Sequence, residues 1–227
     1  MSQRVLVVTS NHGELDGKPN GTYFPELTHA LHVLDRVGIA YDLASPKGGT
    51  IPGYGADADE LTRTMLADAA FKARIEGTLR LADVDPADYA GVFYPGGYGL
   101  LFDLTDDAES QRITAALYER GAPVAAVCHG PAALSRVKLA SGAWLLEGRE
   151  VTGFTREEEV AMKTLDAIPF VLEERMLEVG ATYRKKAKWK VLLVEDGNLI
   201  TGQNPASAAV VGEALARALA RGAASAG

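Results

Sequence analysis

The chain of 227 residues has a single cysteine, Cys128, so no internal disulfide can form. It also lacks long apolar runs. The start, MSQRVLVVTS, holds an apolar stretch too short for a signal-peptide core, and no segment approaches the roughly 18 apolar residues of a membrane span. A reducing cytoplasm is therefore the expected location, with no membrane partner. Positive charge is in deficit, at a net charge of -7, which removes the overall electrostatic signature of a nucleic-acid binder. Histidine is scarce, at 4 residues, and with one cysteine and no His-Glu-x-x-His pattern these form no metal motif, so no metal site is expected. Internal repeats and low-complexity linkers are missing too. What is present, 47% hydrophobic and 23% charged residues in a well-mixed order, fits one large globular domain over residues 1–227.

The basic residues that do occur crowd into RKKAKWK, where Arg184, Lys185, Lys186, Lys188 and Lys190 surround Trp189. A solvated edge is the default reading of such a run. No function is rested on it, and no nucleic acid is expected as a partner.

Short apolar runs alternate with longer helical patterns from end to end. RVLVV at 4–8 is a buried strand, PELTHALHVLDRVG at 25–38 an amphipathic helix closed by Gly38, and AYDLAS a second strand. After a Gly-, Pro- and Asp-rich segment at 46–67, helical spacing returns at 68–81; GVFYPGG is a strand and glycine turn, 106–120 a helix, and PVAAVC at 123–128 another buried strand. HGPAALSRV is taken as the following helix, REVTGF as a strand, TREEEVAMKTL and a segment around 169–179 as helices, and KVLLVEDGNLITG as a hairpin. The last helix starts at NPASA, with Asn204 as the expected cap, and the tail RGAASAG is expected to fray. This alternation predicts an α/β fold with a mostly parallel sheet covered by helices on both faces.

Ligands of such sheets gather at the carboxyl ends of the strands. Cys128 falls there, in AVCHGPAAL, where a strand runs directly into a turn. That context resembles a nucleophile elbow, and a helix N-terminus behind it is expected to lower the thiol pKa. A lone cysteine is also commonly a small buried hydrophobe, and strand-end context leaves both readings open. In FYPGGYGLLFD, Gly96 and Gly97 suit either a tight turn or close backbone approach to a ligand, with N–H groups available to an oxyanion. Glu26 opens the first helix, and Glu157, Glu158 and Glu159 open the one after VTGFT. First-turn acids are ordinary helix starters, and Thr155 with Glu158 suits a capping box. His129 can cooperate with Cys128 only where the chain leaves strand geometry, since adjacent strand residues point to opposite faces. His29 and His32 lie on the first helix and His12 in a loop, and none of the three is taken as catalytic.

Taken together, ASPKGG, YPGGYGLLFDL, AVCHGPAAL, EGREVTGFTREEE and ITGQNPASA resemble the DJ-one/ThiJ/PfpI superfamily, related to class I glutamine amidotransferases. The combination of AVCHGPA, TGFT with a following glutamate, and NPAS points to its chaperone and glyoxalase III branch. The resemblance implies a flavodoxin-like three-layer α/β/α fold, a homodimer and no cofactor. It implies Cys128 as nucleophile, His129 and Glu159 as its triad partners, with Glu158 as the alternative acid, and Glu26 beside the thiol. Gly96, Gly97 and Trp189 go to substrate binding and oxyanion stabilisation. The implied reaction converts a small dicarbonyl aldehyde, methylglyoxal or glyoxal, with water to lactate or glycolate, without glutathione. A holding chaperone for damaged or unfolded proteins, a protein deglycase, a cysteine peptidase or amidase, and a cysteine-oxidation sensor stand as alternatives.

Overall fold

The computed structural model describes residues 4–225. Seven strands form the central sheet: β1 Val5–Val8, β2 Tyr41–Ser45, β3 Leu79–Arg80, β4 Gly91–Tyr94, β5 Val124–Val127, β6 Leu193–Asp196 and β7 Leu199–Gly202. Their order is β6-β7-β5-β4-β1-β2-β3, and only the β6–β7 hairpin is antiparallel. The helices are α1 Phe24–Arg36, α2 Glu60–Ala67, α3 Ala69–Glu76, α4 Gly99–Asp103, α5 Ala108–Glu119, α6 Arg156–Met162, α7 Leu172–Glu178 and α8 Ala208–Ser225. This is the mostly parallel sheet that the alternation predicts, in the flavodoxin-like three-layer α/β/α arrangement that the resemblance implies.

The period-2 alternation of the buried strands divides the core in two. Val5, Val7, Phe93, Ala125 and Val127 pack with Leu27 and Leu31 of α1 and Val211 and Leu215 of α8. Leu6, Val8, Val92, Tyr94 and Ala126 face the other way, against Ile113 and Leu117 of α5 and Leu172 and Met176 of α7. Because β1 is flanked by β2 on one side and β4 on the other, the winding reverses between β1 and β4. The loops after these two strands meet at the carboxyl edge, and the chain leaving β5 joins them there.

Several local expectations are corrected. The segment 46–81 does not contain a single helix from 68: helix begins at Glu60, breaks at Asp68, resumes, and yields to strand β3. Two short acids set this pattern, since Asp59 accepts from the Thr62 N–H and Asp68 from the Phe71 N–H, each at 2.8 Å, so each starts its own helix. In REVTGF only Glu150–Val151 is strand, and it pairs with Thr182–Tyr183 outside the main sheet. HGPAALSRV is no α-helix but a 3-10 turn over Gly130–Leu134. There the chain is pressed onto the end of β4, and a Cβ at Gly130 would lie 2.3 Å from the Tyr94 carbonyl oxygen. Of the tail expected to fray, Arg221–Ser225 continues α8, and residues 226–227 lie outside the described residues. No helix among the described residues is long and apolar enough to cross a membrane.

Candidate active site

Cys128 sits one residue past the end of β5. Its N–H still completes the sheet by donating to the Gly202 carbonyl at 2.9 Å, and its carbonyl accepts from the Phe154 N–H at 2.9 Å. Between these two anchors its φ is +59°, a left-handed conformation that a non-glycine residue holds only under constraint. The elbow breaks the strand alternation and lets two consecutive side chains meet. Cys128 Sγ lies 3.4 Å from His129 Nδ1, and His129 Nε2 lies 2.7 Å from Glu159 Oε1.

Glu159 arrives from the first turn of α6, where Thr155 and Glu158 form the expected capping box. Its second oxygen accepts from Tyr98 Oη at 3.3 Å and from Thr164 Oγ1. Burial raises this carboxyl, but the facing His129 and the bonds from His129, Thr164 and Tyr98 outweigh it, and the group is held below the usual carboxylate range. Glu158 is turned away from His129 and bonds to Thr155, Trp189, Gln203 and Asn204. Of the three glutamates in TREEE, Glu159 is the one that meets His129. Glu157 is on the surface beside Lys185.

Glu26 approaches the thiol from α1. It is fully buried, and neither of its oxygens finds a hydrogen-bond partner of ordinary geometry. Burial pushes its pKa up to about 8, offset only in part by the Cys128 thiol and the Gly96 N–H beside it. Burial also pushes the Cys128 thiol well above its ordinary value, and the charges of Glu26, Glu158 and Glu159 add to this. This corrects the expectation of a thiol acidified by a helix N-terminus: the element behind Cys128 is a short 3-10 turn, and burial together with nearby carboxylate charge works against the thiolate. A negative charge on the Cys128–Glu26 pair must be shared between them.

The glycines prove to be packing requirements. A Cβ at Gly96 would lie 2.1 Å from Glu26 Oε2 and 2.6 Å from Cys128 Cβ. Gly97, at φ +118°, would place one 2.3 Å from the Gly21 carbonyl oxygen. PGG thus lets α1 and the loop before it close upon the thiol.

Aromatic rings wall the site. Tyr98 and Phe154 lie against the His129 ring at 4.4 and 4.5 Å, Trp189 against Phe154 at 5.8 Å, and Tyr54 contacts Tyr98 and Tyr23 at 6.5 and 5.0 Å. Cys128 is only 4% exposed. Two open surface cavities, of about 190 and 280 Å³, lie away from the site, beside Tyr41 and Trp144. Sequence reasoning missed Tyr98, Phe154, Thr164, Tyr54 and Tyr23. Tyr98 and Phe154 stand inside motifs already singled out, but ring contact across distant segments leaves no spacing signal.

Among the described residues no His, Cys, Asp and Glu cluster could hold a metal ion. His29 pairs with Asp59 at 3.0 Å, and His12 stacks on Phe102. Two residues of the basic run are ion-paired: Arg184 with Glu150, and Lys185 with Glu173 at 2.8 Å.

A doubly wound sheet with a cysteine elbow, an adjacent histidine and an acid from a later helix defines a class of α/β proteins with a nucleophile-type site. Within that class the chain belongs to the DJ-1/PfpI family, whose pattern matches residues 20–218. It is 29% identical over 228 residues to Glyoxalase 3 of Candida albicans, covering 92% of this chain and 95% of that one. It is 28% identical over 229 residues to the glutathione-independent glyoxalase HSP31 of Saccharomyces cerevisiae, covering 91% and 93%. Among solved structures, Rapid Encystment Protein 24 KDa of Francisella tularensis superposes with a TM-score of 0.92 at 32% identity, covering 96% of this chain and 99% of that one. Glyoxalase III of Candida albicans superposes with a TM-score of 0.83 at 28% identity, covering 95% and 96%.

Proposed function

We propose that this chain is a glutathione-independent glyoxalase that converts methylglyoxal or glyoxal and water to lactate or glycolate. The observation that carries the reading is the bridging imidazole, with Nδ1 toward the Cys128 sulfur and Nε2 on Glu159, while the buried Glu26 lies beside the same thiol. Relatives that match along nearly their whole length bear the same activity in their names.

In this reading the Cys128 sulfur adds to the aldehyde carbon as its proton passes to Glu26, giving a hemithioacetal. The hydrogen on that carbon then moves as a proton to the neighbouring carbonyl carbon through an enediol, with Glu26 and His129 carrying protons between carbon and oxygen. The product is a thioester of the hydroxy acid. Water hydrolyses it, releasing lactate or glycolate and restoring the thiol, so no external oxidant or reductant enters. Glu159 holds the His129 ring, and the N–H groups of Gly97 and His129 stabilise oxyanions. The thiol takes the place that glutathione has in other glyoxalases. A peptidase reading fits less well, because Cys128 is only 4% exposed and no open cleft leads a polypeptide to its sulfur among the cavities described.

The decisive assay is lactate formation from methylglyoxal with and without glutathione, in the wild type and in Cys128→Ala. Turnover independent of glutathione and abolished in the folded variant is expected. Strict glutathione dependence, or unchanged lactate from Cys128→Ala, would sink the mechanism. A homodimer in the cytoplasm belongs to the same proposal, and light scattering giving the mass of one chain would remove the dimer.

A further inference from the structure

Glu158 is completely buried and adjacent to Glu159, yet the mechanism above does not use it. Its Oε2 accepts the N–H and the hydroxyl of Thr155, at 3.0 and 2.9 Å, which completes the capping box of α6. A capping box needs nothing more. Its Oε1 nevertheless collects three further donors from distant chain: Trp189 N–H at 2.9 Å, Asn204 Nδ2 at 2.8 Å and Gln203 Nε2 at 3.2 Å. Asn204 was the expected cap of the last helix, but its side chain makes no cap bond to that backbone: its Nδ2 donates to Glu158 and to the Lys190 carbonyl, the latter at 3.0 Å, and its Oδ1 accepts from the Ser207 hydroxyl at 3.3 Å.

The segment carrying Trp189, residues 186–192, belongs to no strand or helix and hangs largely from side chains. The Lys186 N–H donates to Gln203 Oε1 at 2.8 Å, and the Leu192 N–H donates to Ser207 Oγ at 3.1 Å. Trp189 itself has φ +66°, which a bulky residue holds only where its surroundings impose it, and its N–H is the one pinned by Glu158. Its indole, 43% exposed, packs on Phe154, which packs on His129.

We propose that Glu158 is a positioning residue that fixes Trp189 as the outer wall of the site and thereby limits the group carried on the ketone carbon of a 2-oxoaldehyde. The consequence expected of the pinned indole is that hydrogen or methyl is accepted at that carbon and a bulkier aryl group is disfavoured. A neutral amide at 158 cannot reproduce this. Whichever way it is turned, its NH2 meets either the Thr155 donors or the three strap donors, and one set loses its acceptor. The inference rests on the glyoxalase reading for its substrate and on the fold alone for the placement of Trp189.

The test uses the full chain with Trp144→Phe, which leaves Trp189 as the single indole. Emission and acrylamide quenching report where Trp189 stands, and kcat/KM for phenylglyoxal over methylglyoxal reports the wall. Glu158→Gln is expected to red-shift the emission, increase quenching and raise the phenylglyoxal preference about tenfold. Trp189→Ala should raise it as much, and the double variant no further, since both changes remove one wall. A merely structural Glu158 would lower the melting temperature and leave both the ratio and the emission in place, which would overturn the proposal. If Glu158→Gln does not fold, Asn204→Ala takes its place, with a smaller shift of the same sign expected and no shift overturning it. Wild type that turns over no 2-oxoaldehyde defeats the glyoxalase reading, and the emission and quenching then decide on the placement of Trp189 by themselves.

Discussion

The carboxyl group of Glu26 occupies the space that a side chain at Gly96 would need, with Oε2 2.1 Å from where a Cβ would stand. The glycine after the β4 turn and the acid of the first helix are thus one steric unit with Cys128, whose Cβ lies 2.6 Å from that same position of a Cβ on Gly96. Gly96→Ala should displace Glu26 from the thiol. Overpacking of this kind costs about 1–3 kcal/mol, and turnover of methylglyoxal should fall at least ~100-fold. Steady-state kinetics and a denaturant titration check both. An active Gly96→Ala would show that Glu26 need not touch the sulfur.

Glu26 also sets a pH dependence. Its folded-state pKa is raised from the ordinary 4.5 to about 8, so across that interval the native chain holds a proton that the unfolded chain has released. The stability it contributes is full below about pH 4.5 and is lost as pH rises through about 8. Glu26→Gln mimics the protonated acid and does not titrate. The wild type should lose on the order of 1.4 kcal/mol per pH unit relative to this variant within that window. Urea midpoints measured across the window in both proteins decide it, and a constant difference would mean that Glu26 is ionised in the folded state.

The same proton governs activity. Addition to the aldehyde needs the Cys128–Glu26 pair to have lost one proton, so kcat/KM should rise with pH and level off near the Glu26 value of about 8. In Glu26→Gln that limb should be missing or moved upward. A wild-type profile flat across this range would separate the rate from the pair.

Cys128 itself should be sluggish toward general alkylating agents. Burial and the neighbouring carboxyl groups hold its thiol well above the ordinary range. Iodoacetamide should modify it at least ~10-fold more slowly at neutral pH than the same cysteine in the unfolded chain. Equal rates, read by intact mass, would show an exposed and ionised sulfur.

Glu159 and His129 are separated by 2.7 Å, with both groups buried. Glu159→Gln keeps the size but removes the charge that orients the ring, and kcat should drop about 10²–10⁴-fold with little change in KM. A drop of less than about threefold would take Glu159 out of the proton path.

Much of this was legible in the chain. The buried runs RVLVV, GVFY and PVAAV lie where periodicity puts strands, because a strand covered on both faces must be apolar throughout. Cys128, His129, Glu159 and Glu26 were picked out by motif, and the fold brings them together. The break at Asp68 was missed because one short acid competes with the helix backbone on both sides of it, a local choice that a window of apolar spacing averages away. The turn after Cys128 was taken for a helix because GPAAL has helical composition, while its contact with the Tyr94 carbonyl has no local trace.

By itself, the sequence determined the order of strands and helices and the placing of Cys128 at a strand end, since both follow from periodicity along the chain. Tertiary structure alone decided the chemical state of the site. Whether the thiol is acidic, whether Glu26 keeps its proton, and which of two adjacent glutamates meets His129 all depend on burial and on charges brought from distant segments. Electrostatic energy is set by distance through space and by exclusion of water, and neither quantity is written in the spacing of residues along a chain.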